Sequence, residues 1–188
     1  ADDGLVLAVV GAQVAHRIGL RARVEQLFEL AGEHAAGLGD ADRFHRLALA
    51  VAERNNEVHI LVRNPDSSNI PQHKNIKVFA GDITQKQSIT SAIKGCRQVY
   101  HTAALVKAFD KDSSLFYKVN VEGTRNLLEL ALETGVEKFV FTSSCSVIGP
   151  TLKAEMCEND KRISPLDNDY DATKYLAENL VKEYGKKG

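Results

Sequence analysis

The chain has 188 residues, with 24 Lys and Arg against 25 Asp and Glu, a formal net charge of −1. That length supports one well-cored domain. The near-neutral charge excludes a basic surface for nucleic acid or anionic membrane. Three cysteines (Cys96, Cys145, Cys157) form no CxxC pair and no Asn-x-Ser/Thr site occurs, which fits a reducing compartment. The apolar run Leu5 to Ala12 is too short to span a bilayer. Acidic Asp2 and Asp3 precede it, where a secretory signal would be basic. The expectation is a soluble, cytoplasmic protein with no membrane and no nucleic-acid partner.

In chain order, Leu5 to Val10 is a short continuous apolar run, suited to a strand buried on both faces. Leu20, Val24, Leu27, Phe28 and Ala31 recur at helical spacing. Asp40 or Asp42 can cap a second helix, with Phe44, Leu47 and Val51 on one face. Glu57 to Val62 and Ile76 to Phe79 read as strands, and Ile83 to Ile93 as a short helix opening at Thr84. Gln98 to His101 is a further strand. Ser113 to Thr134 is a long helix, ended by Gly135. Lys138 to Thr142 is a strand and Asp169 to Tyr184 a helix. Strands alternating with helices imply βαβ units and a parallel sheet.

Composition changes near residue 54. Residues 1–54 hold six Arg and no Lys, whereas residues 55–188 hold 14 Lys and four Arg. One reading is a junction between two segments of different origin, 1–54 and 55–188. The other is chance plus a helical stretch that favours Ala and Arg.

Tyr170-Asp-Ala-Thr-Lys174 sets a phenol and an ammonium four residues apart on one helix face. A free phenol has a pKa of about 10. A cation nearby stabilises the phenolate and draws that value toward working pH, which suits proton exchange with a carbonyl or alcohol oxygen. A hydroxyl is needed to hold that oxygen. Phe141-Thr-Ser-Ser144 follows an apolar strand, at the carboxyl edge where open α/β sheets bind ligands. Alone, Tyr-x-x-x-Lys also describes an ordinary exposed helix face.

The linked set is more specific: Gly81-Asp82-Ile83, Val99-Tyr-His-Thr-Ala-Ala104, Asn120-Val-Glu-Gly-Thr124, Thr142-Ser-Ser144, Val147-Ile-Gly149, and Tyr170 to Lys174 with Ala177-Glu178. In order and spacing it resembles the extended short-chain dehydrogenase/reductase (epimerase/dehydratase) family over residues 55–188, with the dihydroflavonol-reductase-like group the nearest resemblance. The resemblance implies a Rossmann-like, doubly wound parallel sheet in three α/β/α layers, truncated at the C-terminus and preceded by an atypical helical segment. Residues 55–188 would then be a partial NAD(P)-binding domain. It implies Tyr170 as general acid/base, Lys174 as its electrostatic partner and ribose ligand, and Ser144 as the carbonyl-orienting hydroxyl, with Ser143 and Ser146 as rivals. Asp82 and Ile83 would flank adenine. Ala103, Ala104 and Thr142 would border the cofactor, and Asn120 would tie neighbouring strands. Arg63, after a strand, favours a 2′-phosphate and hence NADP over NAD, although an exposed loop Arg reads equally well.

Two departures follow. The family's Gly-x-x-Gly-x-x-Gly loop lets the backbone approach pyrophosphate at a helix N-terminus. Here Gly11 is followed at those positions by Val14 and Arg17, and the alternative register lands on Gly37, Asp40 and Arg43. The chain also stops at Gly188, just after the Tyr–Lys helix, where family members continue into another strand and a substrate lobe. The Phe-Val-Phe strand is thus expected at a sheet edge, and a homodimer through it. His and Cys spacings match no metal motif. Three readings stay open: an NADP-dependent reductase or alcohol dehydrogenase on a small-molecule substrate, a nucleotide-sugar epimerase/dehydratase, and an inactive fragment or chimeric scaffold.

Overall fold

A computed structural model describes residues 6–9, 40–67, 70–106, 112–149, 157, 160 and 162–188. Gly11, Val14, Arg17, Gly37 and the expected helix around Leu20 to Ala31 lie outside the described residues, as does the side chain of Phe44.

Five parallel strands form one sheet: β1 (Val6–Val9), β2 (Val58–Val62), β3 (Ile76–Ala80), β4 (Gln98–His101) and β5 (Lys138–Phe141), in the order β3-β2-β1-β4-β5. This is the doubly wound Rossmann order, which reverses direction between β1 and β4. The reversal opens a crevice at the carboxyl ends of these two strands, where Val9 pairs with His101. At one edge of the described sheet lies β5.

β2 is buried along its whole length, and its alternation serves two cores. Val58, Ile60 and Val62 face helix α1 (Asp40–Glu53), packing with Ala48 and Ala52. Leu61 faces the other way, into a core with Ile89, Ala92 and Ile93 of α2 (Lys86–Ile93) and with Val99. Helix α3 (Ser114–Phe116) runs through a π-helical turn (Tyr117–Glu122) into α4 (Gly123–Thr134), whose Leu127, Leu130 and Ala131 complete this second core. Helices thus cover both faces, giving three layers. Helix α5 (Asp169–Tyr184) closes the described fold. No helix among the described residues is long and apolar enough to cross a membrane.

Two helices depart from expectation, one at its start and one within its length. Helix α1 spans Asp40–Glu53, so both candidate caps, Asp40 and Asp42, fall inside it. Helix α2 begins at Lys86 rather than Thr84. Asp82 Oδ1 accepts both the Thr84 N–H and the Thr84 hydroxyl, each at 2.8 Å, and this Asx turn consumes the group expected to open the helix. The long helix carries a π turn that a 3.6-residue period does not foresee. Its end is as expected: Gly135 is left-handed at φ 74°, and the Val136 N–H reaches back to the Ala131 carbonyl at 2.9 Å.

Candidate active site

The strand ends that follow β2, β3, β4 and β5 present the candidate residues along one edge of the sheet. Arg63 is exposed just past β2. Asp82 is half-buried past β3, its carboxylate holding Thr84. The Ile83 side chain is buried in the second core, and its carbonyl accepts from Asn126 Nδ2 at 2.8 Å. Gly123 makes that packing possible, because a Cβ there would stand 2.7 Å from the Ile83 side chain. Ile83 therefore anchors the loop after β3 with its side chain turned inward, toward the core and not toward the sheet edge. Past β4, Ala103 is buried and Ala104 half-buried.

Asn120 joins this edge to α5, rather than tying one strand to the next as expected. Its Oδ1 accepts the Leu105 N–H at 2.7 Å, while its Nδ2 donates to the Leu105 carbonyl at 3.2 Å and to Thr173 Oγ1 at 3.0 Å. The π turn places Asn120 and Thr124 side by side: the Thr124 hydroxyl donates to the Asn120 carbonyl at 2.7 Å. That hydroxyl has one proton, so the 2.9 Å contact with His101 Nε2 requires the proton on Nε2. His101 Nδ1 is then a bare acceptor, buried and without a hydrogen-bond partner among the described residues. Burial first, and the Lys174 charge second, push the His101 pKa down to about 3.

Past β5, the three rival hydroxyls separate. Ser143 donates to Glu178 on α5. Ser144 is extended and caps a 3-10 turn, Cys145–Val147. Its oxygen accepts from the Ser146 N–H at 3.2 Å and from the Ser146 hydroxyl at 2.9 Å. With two donors already directed at that oxygen, the Ser144 O–H remains available to donate.

Asn168 caps α5, its Oδ1 accepting the Asp171 N–H at 2.8 Å. Tyr170 stands in the first turn, half-buried, and Lys174 lies one turn on along the same face. Lys174 is buried, 2% exposed, down to its ammonium. It donates to the Thr142 carbonyl at 2.7 Å and lies 4.1 Å from the centroid of the Phe141 ring. Burial pushes its pKa down to about 7, against an opposing pull from Glu178. At Glu178, burial works upward, but hydrogen bonds from Lys182 and Ser143 outweigh it and hold the carboxyl below its usual value. Glu178, Thr124 and Thr173 were not singled out from sequence as site residues, although Glu178 stands four residues beyond Lys174. Among the described residues no cluster of His, Cys, Asp or Glu could hold a metal ion.

Comparisons with known proteins agree with this fold. The rat (Rattus norvegicus) 3 beta-hydroxysteroid dehydrogenase type 7 is 37% identical over 119 residues, which is 60% of this chain and 35% of that protein. The chain spans about a third of the length of the curated relatives that it matches first. Two solved structures share the architecture at lower identity. The UDP-Glc/GlcNAc 4-epimerase of Campylobacter jejuni superposes with a TM-score of 0.71 at 20% identity, over 98% of this chain and 50% of that one. The Bordetella bronchiseptica enzyme WbmH, in complex with NAD+, has a TM-score of 0.69 at 17% identity, over 97% of this chain and 52% of that one. At those identities the likeness is one of fold. Residues 46–186 match the 3-beta hydroxysteroid dehydrogenase/isomerase family, a span that includes every catalytic candidate, and the chain belongs to that family.

Proposed function

We propose that this chain carries the proton-transfer half of a nicotinamide-dependent oxidoreductase site that interconverts a secondary alcohol and a ketone. The relationship to a 3 beta-hydroxysteroid dehydrogenase supports a ring hydroxyl on a sterol-like skeleton as the substrate class. The observation that carries the reading is the placement of Ser144, Tyr170 and Lys174 at the carboxyl end of β5, beside the point where strand order reverses. The residues present fit a dinucleotide. Arg63, Asp82, Ala103, Ala104 and Thr142 lie along the same edge, Ala103 and Ala104 offering little bulk there. At the family's glycine-loop positions only Gly11 matches, with Val14 and Arg17 at the next two.

A nicotinamide dinucleotide, when bound, supplies the hydride acceptor or donor. The chain supplies the rest. The Ser144 O–H donates to the substrate oxygen and fixes its position. Tyr170 takes the hydroxyl proton during oxidation and returns it during reduction. Lys174, tethered at Thr142, keeps two further N–H groups for a ribose and for the phenol oxygen. The exposed Arg63 supports NADP over NAD. The open edge of β5 supports pairing with a second copy of the chain.

The test is turnover of a 3β-hydroxysteroid with NAD+ and with NADP+, followed by nicotinamide absorbance. Tyr170→Phe should lower kcat by about 10²–10⁴-fold. Equal turnover by the variant would refute the assignment. A nucleotide-sugar epimerase would use the same three residues, but it would show epimerised product without net nicotinamide reduction.

A further inference from the structure

The Ser144 turn and the segment leading into Tyr170 meet at one side chain that the catalytic reading does not use. Arg162 is half-buried. Its Nη1 donates to the Ser146 carbonyl and, at 3.4 Å, to the Val147 carbonyl. Its Nε donates to the Ser164 carbonyl at 2.8 Å and its Nη2 to the Pro165 carbonyl. One planar fork thus bonds backbone on two segments at once: the 3-10 turn that Ser144 caps, and the run that enters α5 at Asp169. A lysine ammonium, a point charge on a flexible stem, would not span both sets.

The packing around the fork is close. Gly149 is left-handed at φ 76°, and a Cβ there would stand 2.8 Å from Arg162 Nη1 and 2.9 Å from its Cζ. Glycine is needed both for the backbone conformation and for the guanidinium to lie flat against the turn. The held carbonyl belongs to Ser146, whose N–H and hydroxyl both point at the Ser144 oxygen. Two other links bind the strand end to α5, Lys174 to Thr142 and Ser143 to Glu178. Both reach the middle of the helix. Arg162 alone among these three links fixes the approach to its first turn, where Tyr170 stands.

We infer that Arg162 is a positioning residue, which sets the distance between the Ser144 hydroxyl and the Tyr170 phenol by bonding the turn of one to the lead-in of the other. The inference rests on the proposed reaction, in which both groups address one substrate oxygen. Reactive geometry is steep in distance: a displacement of about 1 Å is enough for a loss on the order of 10²-fold.

The experiment compares Arg162→Lys, Arg162→Gln and Arg162→Ala with the parent chain by steady-state kinetics and by amide hydrogen exchange. The expected result is a fall in kcat of about 10–100-fold, with KM for the nicotinamide cofactor changed less than about two-fold. Millimolar guanidinium should partly restore Arg162→Ala, and Arg162→Lys should recover little. Exchange should quicken together at 146–149 and 163–168, with β4 and α4 unchanged. Unaltered kcat, or exchange unaltered in either segment, overturns the inference. If the parent chain shows no turnover, the proposed reaction fails on its own, and exchange then decides: joint loosening of both segments supports the clamp, and loosening of neither refutes it.

Discussion

The buried Lys174 ammonium donates to the Thr142 carbonyl at 2.7 Å, so this charge ties helix α5 to the end of β5. Burial pushes its pKa down to about 7, against about 10.4 for a free lysine. The unfolded chain therefore binds the proton more tightly between pH 7 and 10. The penalty is fully present below pH 7 and is relieved as pH rises through that window. Lys174→Met should raise stability at pH 6, by roughly 1–4 kcal/mol, and the gain should shrink toward pH 10. Urea midpoints at the two pH values measure it. A variant less stable at both would show that the Thr142 hydrogen bond outweighs the buried charge.

His101 acts with the same sign in a lower pH window. Its folded pKa of about 3 lies below the unfolded value of about 6.5. Stability is then lost as pH falls from 6.5 toward 3, at up to about 1.4 kcal/mol per pH unit. His101→Gln can retain a donor toward Thr124 while removing the titration. Its stability curve should be flatter by one proton between pH 4 and 6, and an unchanged slope would place the acid sensitivity elsewhere.

Gly123 and Ile83 offer a packing test of the loop after β3. Gly123→Ala puts a methyl 2.7 Å from the Ile83 side chain. Overpacking of about 1–3 kcal/mol should exceed the helix-propensity gain of about 1 kcal/mol. Adding Ile83→Val should recover part of the loss, so the pair will be non-additive in a double-mutant cycle. Strict additivity would mean that the two residues do not touch.

β5 is an edge strand among the described residues, which leads to a prediction about assembly. Phe139, Val140 and Phe141 are half-buried there, and unpaired strand edges recruit other strands. Light scattering on a size-exclusion column should show a dimer whose fraction rises with concentration. Val140→Lys should lower that fraction, and a parent chain that is monomeric throughout contradicts the pairing.

Most of the architecture was legible in the sequence because it rests on periodicity. β4 and α5 match their expected limits, and the other strands differ by a residue or so at either end. Features set by single hydrogen bonds were not legible. The start of α2 moved because Asp82 captured Thr84. The π turn changes helix phase without changing residue type. The partner of Ser143 proved to be Glu178, a pairing 35 residues apart. Arg162 sits in an irregular run with no period to read. The Tyr170–Lys174 pair was the strongest local signal, and its motif neighbours were what distinguished it from a plain helix face.

The most direct test of the account is a fluorescence titration of the chain with NADH and NADPH, using Lys174→Met as the control. The account predicts saturable binding to the parent with Kd below about 1 mM, that is, more than about 4 kcal/mol of binding free energy, with NADPH favoured and clear weakening in the variant. No binding of either nucleotide at several millimolar would contradict the proposed oxidoreductase site.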